Sequence, residues 1–140
     1  MRVIGLDLGT KTLGVAISDP SKIIASSLTT IRFEENDYKS AIKELKNIIS
    51  DYEIELIVIG LPKNMNNSLG FAAQRTLDFE KLLKDEFEIP IYEQDERLSS
   101  VTANNILLEA DVSRRKRKKK VDQLAATIIL QNYLDIRKGI

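Results

Sequence analysis

The 140-residue sequence contains no cysteine and no histidine. The absence of cysteine excludes disulfides, thiolate metal sites and cysteine nucleophiles. The absence of histidine excludes the Ser-His-Asp triad and every histidine-ligated zinc site. Any catalysis by this chain must therefore depend on carboxylates, lysines, hydroxyl groups or a bound hard cation.

Long apolar runs are also absent, although 43% of the residues are hydrophobic. No run approaches the roughly 18 residues that are needed to cross a bilayer. The N-terminus has the pattern of a strand with a charge inside it, which is not the pattern of a signal peptide. We therefore expect a cytoplasmic protein without membrane contact, folded as a single domain over residues 1–140.

Charge is balanced overall, with 21 basic and 21 acidic residues, but it is unevenly distributed. Outside one basic run, the chain has 14 basic and 21 acidic residues and a net charge of −7. Seven adjacent cations repel one another, so we expect a mobile loop that phosphates would stabilise by displacing counterions. The alternative is a solvated surface loop. The run consists of Arg114, Arg115, Lys116, Arg117, Lys118, Lys119 and Lys120.

The first part of the chain predicts three antiparallel strands. They are expected over Arg2–Leu8, Leu13–Ser18 and Lys22–Ile31, with a tight hairpin at Gly9-Thr10-Lys11 and a turn at Asp19-Pro20-Ser21. The hydrophobic period then changes to three and four residues, which predicts an amphipathic helix from Tyr38 to Tyr52. Asn36 or Asp37 is expected to cap this helix.

The rest of the chain alternates between strands and helices, giving the order βββαβαβαα. Strands that return through a helix favour parallel, right-handed crossovers. We therefore predict an α/β fold with a mixed five-stranded sheet, three antiparallel strands followed by two parallel ones, flanked by helices. The later elements are a strand over 56–59, a helix over 69–83, a strand from Pro90, a helix over 99–108 and a last helix over 121–134.

Carboxylates stand at three candidate positions for a ligand site. Asp7 lies inside an apolar strand, where a charge is costly unless it is paired or binds a cation. Asp95 and Glu96 close the fifth strand, and only one of them can face Asp7 because adjacent strand residues point to opposite faces. Asp122 shares a helix face with Ala126 and could therefore point at the sheet. Each residue also has an ordinary explanation, as a turn, a loop end or a helix N-terminal acid.

Three carboxylates brought together would repel one another, and a divalent cation would relieve that repulsion. Ligand sets made only of oxygen select Mg²⁺ or Mn²⁺. Such clusters support two-metal phosphoryl chemistry, in which one ion activates water and the other stabilises the leaving oxygen. Thr10 and Lys11 in the hairpin could contact a phosphate. Asn64 and Asn66, after Gly60-Leu61-Pro62, could shape a loop that faces the substrate.

Four motifs in the right order and at the right separations resemble the YqgF/RuvX family over essentially the whole chain. The motifs are Asp7-Leu8-Gly9-Thr10-Lys11 with Gly14-Val15-Ala16, Gly60-Leu61-Pro62-Lys63-Asn64-Met65-Asn66, Asp95-Glu96-Arg97-Leu98-Ser99, and Lys119-Lys120-Val121-Asp122 with Ala125-Ala126. This resemblance implies an RNase H-like fold and nuclease activity on precursor 16S rRNA, with the metal-binding acids at Asp7, Glu96 and Asp122. Arg97 and Lys11, together with the basic run, are expected to bind the nucleic acid.

The leading hypothesis is a metal-dependent nuclease that processes precursor 16S rRNA, either naked or in the 30S particle, as a monomer or weak homodimer. A DNA endonuclease that resolves branched junctions and a non-catalytic ribosome-binding factor remain alternatives. The Asp-x-Gly-Thr turn also occurs in actin-like ATPases and sugar kinases. Those proteins need two such lobes to enclose a nucleotide, and 140 residues supply one.

Overall fold

The computed structural model describes residues 1–61, 71–95 and 114–138. The chain forms strands β1 (Arg2–Leu8), β2 (Thr12–Ser18) and β3 (Ala25–Arg32), followed by helix α1 (Tyr38–Ile49). Strand β4 (Ile54–Leu61), helix α2 (Phe71–Glu86), strand β5 (Ile91–Asp95) and helix α3 (Arg114–Lys138) complete the described elements.

The five strands form one sheet in the order β3-β2-β1-β4-β5. Strands β1, β2 and β3 pair antiparallel, whereas β4 pairs parallel with both β1 and β5. The predicted mixed sheet is therefore confirmed. Because β1, β4 and β5 are parallel, their carboxyl ends meet at one edge of the sheet. In α/β sheets this is the edge at which ligands collect.

One face of the sheet packs against α1 and α2. Ile4, Leu6 and Leu8 of β1 belong to this core, together with Phe79 and Leu83 of α2. The even-numbered residues of β1 point to this face because strand side chains alternate. An edge-to-face contact between Tyr38 and Phe79, with ring centroids 5.6 Å apart, joins the two helices.

The opposite face of the sheet packs against α3. Its core contains Val3 of β1, Ala16 of β2 and Val58 of β4, together with buried α3 residues. The α3 members of this cluster are Ala126, Ile129, Leu130 and Leu134. Among the described elements, α3 is the helix that packs on this face, so the placement of α3 determines what lies beside the sheet edge.

Several predicted boundaries differ from the structure, and the start of β3 is one of them. Strand β3 begins at Ala25, three residues later than expected. Lys22 has a φ of 60°, and the Asp19 carboxylate accepts hydrogen bonds from the amides of Ile23 and Ile24 at 2.7 and 3.0 Å. These bonds hold a turn where the apolar pattern predicted a strand.

Helix α1 is shorter than predicted. It ends at Ile49, and the Tyr52 ring lies beyond it under the Arg2 guanidinium, 5.5 Å from centroid to carbon. Asp37 occupies the N-cap position as predicted, although its carboxylate accepts from the Ser40 hydroxyl and not from a backbone amide.

The basic run is not a loop. Residues Arg114 to Lys120 form the first two turns of α3, which corrects the prediction of a mobile segment. Lysine and arginine are good helix formers. Once the apolar residues from Leu124 onward pack on the sheet, each further residue adds a backbone hydrogen bond at little cost. These gains outweigh the repulsion between solvated charges.

Several predictions lie outside the described residues. They are the loop with Asn64 and Asn66, the site residues Glu96 and Arg97, and the helix over 99–108. The same holds for the side chains of Asp95 and of residues 114–123. In the described part of the chain, no helix is long and apolar enough to cross a membrane.

Candidate active site at the carboxyl end of β1

Asp7 lies on the α3 face of the sheet, near the edge where the parallel strands end. Val3 and Gly5, four and two residues before it, point to α3, and alternation places the Asp7 carboxylate on the same side. Its side chain is half-buried. A carboxylate in this position is shielded from bulk water, yet it is close enough to the surface for a substrate to reach it.

Glycines flank Asp7 on both neighbouring strands. Asp7 pairs with Gly14 of β2, and Gly14 pairs in turn with Thr30 of β3. On the other side, the pairing of Leu6 with Ile59 brings Gly60 of β4 level with Asp7. Since neither glycine carries a side chain, the Asp7 carboxylate is the only side chain on the central three strands at this level.

Helix α3 approaches β1 very closely beside this site. A Cβ atom on Gly5 would lie 2.7 Å from the Leu130 Cβ and 3.0 Å from the Ala126 carbonyl oxygen. Real Cβ atoms do not approach that closely, so a glycine is required at position 5. A glycine inside an otherwise apolar strand is a known mark of close backbone approach. The sequence contains this mark, but Gly5 belongs to none of the motifs described above.

The direction of α3 follows from a second contact. The Gln131 side chain accepts from the Ala25 amide at 2.8 Å and donates to the Ile23 carbonyl at 3.0 Å. Ala25 pairs with Ser18, whose hydroxyl accepts from the Val3 amide near the start of β1. Helix α3 therefore runs from the Asp7 end of β1 towards its beginning, and its N-terminal turns lie at the site.

The hairpin turn between β1 and β2 places Lys11 at the same edge as Asp7. The Gly9 amide donates to the Thr12 carbonyl at 2.7 Å, and the Phe33 amide donates to the Lys11 carbonyl at 2.9 Å. These two bonds fix the turn against the end of β3. Thr10 and Lys11 are both exposed, which leaves their side chains accessible to a ligand at this edge.

A buried acid with a raised pKa lies on the other face of the sheet. Glu80 of α2 is 4% exposed and lies 3.5 Å from Lys84. Burial, followed by the hydrogen bond and charge of Glu93 on β5, raises the pKa of the Glu80 carboxyl above its ordinary value. This pair is separated from Asp7 by the sheet, so it belongs to the packing of α2.

The structure brings together part of the predicted site. Asp7, Thr10 and Lys11 share one edge of the sheet, and position 122 lies on the helix that covers this face. Among the described residues, no three histidine, cysteine or carboxylate groups are arranged to hold a metal ion. The roles of Glu96, Asp122 and the basic run remain predictions.

Comparison with known proteins decides the family. The family model described as "RuvX: Holliday junction resolvase" matches residues 1–136. This chain belongs to the RuvX family. Two relatives named "Putative pre-16S rRNA nuclease" support the assignment. The Clostridium acetobutylicum protein is 53% identical over 137 residues, which cover 96% of this chain and 98% of that protein. The Thermoanaerobacter pseudethanolicus protein is 52% identical over 140 residues and covers 99% of each.

Solved structures support the fold of this RuvX-family chain. Thermus thermophilus RuvC in complex with a Holliday junction substrate has a TM-score of 0.58 at 15% identity, covering 99% of this chain and 97% of that one. The fowlpox virus Holliday junction resolvase has a TM-score of 0.56 at 14% identity, covering 96% and 99%. Together with the family match, these similarities confirm the predicted RNase H-like fold.

Family membership also confirms the predicted class of activity. The chain is a nuclease, a hydrolase of phosphodiester bonds, and its substrate is a nucleic acid. Gly5, Thr30 and Arg32 lie near the site but were not among the residues predicted from the sequence. Only the strand register shows that the last two share a face with Asp7.

Proposed function

We propose that this RuvX-family chain is a metal-dependent nuclease that cleaves structured RNA in the 5′-end maturation of precursor 16S rRNA. The observation that carries the proposal is the position of Asp7. It is a half-buried carboxylate between two glycines, at the edge where three parallel strands end. The names of the 53% and 52% identical relatives support the choice of RNA substrate.

Helix geometry supports Asp122 as a partner of Asp7. The Ala126 carbonyl lies against Gly5, and position 122 is one helical turn before Ala126 towards the site. Four residues of helix advance about 6 Å, and the two residues from Gly5 to Asp7 advance about 6.6 Å along the strand. The two steps match, so positions 122 and 7 come level with each other.

Strand parity supports Glu96 in preference to Asp95 as the third acid. Tyr92 of β5 contacts Tyr133 of α3, with ring centroids 5.1 Å apart, so the even-numbered positions of β5 share the face of Asp7. Ile91, an odd-numbered position, packs on the α1 and α2 side. The described strand ends at Asp95, and if alternation continued by one residue it would favour Glu96 as the acid that joins Asp7.

A cluster of Asp7, Glu96 and Asp122 would supply oxygen ligands alone, which fits Mg²⁺ or Mn²⁺. Bound there, such a cation would supply activation of water and stabilisation of the leaving oxygen. The half-buried carboxylate of Asp7 suits this role because partial burial strengthens its attraction for a cation. Lys11, at the same edge, would hold and orient a phosphate of the substrate.

The basic turns of α3 support a polyanion as substrate. Seven cations occupy the helix end whose backbone amides already carry partial positive charge, and no acid lies in its first turn. This arrangement costs stability in the free protein. A bound phosphate backbone would relieve both the repulsion and the unfavourable helix dipole, and it would release counterions.

The proposal is tested by incubating precursor 16S rRNA, naked and in 30S particles, with the wild type and Asp7→Asn. Mg²⁺, Mn²⁺ and EDTA are compared, and Asp85→Asn, at an exposed aspartate of α2, is the matched control. We expect cleavage by the wild type and Asp85→Asn with metal, and none by Asp7→Asn or in EDTA. Cleavage by purified Asp7→Asn would refute the assigned site.

A second candidate is the resolution of branched DNA, which the description of the family model favours. A four-way DNA junction in the same assay separates the two substrates. Preferred cleavage of the junction would replace the RNA assignment while leaving the Asp7 site in place. Salt-sensitive RNA binding without cleavage of any substrate would instead favour a non-catalytic ribosome-binding factor.

A further inference from the structure

Arg32, at the end of β3, lies on the same face as Asp7. Ile31 is buried in the α1 and α2 core, so Thr30 and Arg32 on either side of it point to the α3 face. Register places them in two rows: Asp7, Gly14 and Thr30 lie level, and Thr12 and Arg32 lie one step further towards the edge.

The position of Arg32 relative to Asp7 follows from sheet geometry. Two strand spacings and two residues of rise separate them, which gives about 12 Å between Cα atoms. The long arginine side chain can cover several ångströms of that distance. The hydrogen bond from the Phe33 amide to the Lys11 carbonyl holds the end of β3 against the hairpin turn, so Lys11 and Arg32 are neighbours at the edge.

Both cations are accessible. Arg32 and Lys11 are exposed, and among the described residues neither forms an ion pair with a carboxylate. Among the described residues of β1, β2 and β3, Arg32 is also the only arginine that lies on the α3 face beyond the level of Asp7. A guanidinium that has no ion-pair partner among the described residues, on the same face as Asp7, suits bidentate recognition of phosphate.

Thr30 is level with Asp7 and lies two residues before Arg32 on β3. Its hydroxyl oxygen is buried and has no hydrogen-bond partner within the described part of the chain. A buried hydroxyl without a partner destabilises a fold. Because this oxygen is buried, it affects the stability of this face and takes no part in the phosphate contact of Arg32.

We propose that Arg32, together with Lys11, binds a phosphate of the substrate backbone adjacent to the phosphate at Asp7. The nucleic acid strand then crosses the sheet edge from Asp7, over the β1–β2 turn, to the end of β3. Arg32 is a positioning residue, because it holds the strand and does not touch the reacting atoms. The assignment depends on the proposed nuclease function for its substrate, but its test measures binding alone.

The test measures binding of a fluorescein-labelled RNA that spans the precursor 5′ junction, in EDTA, at several salt concentrations. Each phosphate contact contributes about 0.7–0.9 to the slope of log affinity against log salt. We expect Arg32→Gln to reduce the slope by about that amount and Arg32→Lys to retain it. Lys43→Gln removes the same charge from the exposed side of α1, on the opposite face, and should leave the slope nearly unchanged.

Two results would overturn the assignment. One is a wild-type slope in Arg32→Gln, and the other is an equal loss of slope in Arg32→Gln and Lys43→Gln, which would show a general charge effect. Circular dichroism confirms that each variant is folded. Absence of cleavage by the wild type in metal would contradict the proposed function without changing the binding result, so the two failures remain distinguishable.

Discussion

Substituting Gly5 by alanine should disturb both the stability of the fold and the geometry of the site. The added Cβ would lie 2.7 Å from the Leu130 Cβ and 3.0 Å from the Ala126 carbonyl oxygen. Carbon atoms in contact prefer about 3.5–4.0 Å, so α3 must retreat by about 1 Å. Both neighbouring atoms are held by the α3 backbone, so no side-chain rotation can relieve the contact.

The expected loss of stability is that of an overpacked core, about 1–3 kcal/mol. For a chain of this size, that loss lowers Tm by about 4–12 °C. Position 122 is on α3 as well, so a retreat of α3 also displaces position 122 relative to Asp7. A misplacement of about 1 Å can cost about a hundredfold in rate. Thermal unfolding and single-turnover cleavage of precursor RNA at 25 °C measure the two effects.

Ile4→Val is the matched control. Ile4 is fully buried, but it points to the α1 and α2 core. Its truncation should cost about 0.5–1.5 kcal/mol without moving α3, and cleavage should stay near the wild-type rate. Wild-type stability in Gly5→Ala would refute the close approach of α3. A destabilised Gly5→Ala that cleaves normally when folded would refute its link to the site.

Two further substitutions test the polar groups in the core. Thr30→Val removes a buried hydroxyl that has no partner among the described residues, so it should stabilise the free protein by about 1–2 kcal/mol in thermal unfolding; a lower Tm would show that the hydroxyl has a partner. Glu80→Gln tests the raised pKa caused by burial and Glu93. The stability that protonated Glu80 contributes is present below its ordinary pKa and lost as pH rises through the folded value, so the variant's urea midpoint should match the wild type near pH 4 and exceed it at pH 7. An equal difference at both pH values would contradict this reasoning.

The sheet was predictable because its signals are local. Alternating apolar residues and the Gly9-Thr10-Lys11 turn specify the hairpin, and helical crossovers make the later strands parallel. The isolated charge of Asp7 in an apolar strand marked the site in the same way. The start of β3 was not predictable from hydrophobicity, because the carboxylate of Asp19 binds the amides that follow it and turns Ile23 and Ile24 out of the sheet.

The contribution of β3 to the site could not be predicted because it depends on an irregularity. The register between β2 and β3 shifts between Val15 and Ala16, so that Ala16 pairs with Ser27 but Val15 pairs with Thr29. If the same sequence paired regularly onwards from Ala16 and Ser27, Thr30 and Arg32 would point to the α1 and α2 face. A single bulge therefore decides whether the Arg32 guanidinium is on the side of Asp7 or away from it.

Helix α3 carries three features of the proposed nuclease on one rigid element: the contact with β1, an acid and the basic run. Its apolar half packs against Gly5, its next turn carries position 122, and its first two turns carry the basic run. Binding energy from phosphates at the basic end would therefore act on the same helix that carries Asp122, the proposed partner of Asp7. Energy gained away from the scissile bond can then hold the reacting groups in place, which raises the rate as well as the affinity. This coupling requires close contact between α3 and β1, so the absence of a side chain at Gly5 is as important to the site as the carboxylate of Asp7.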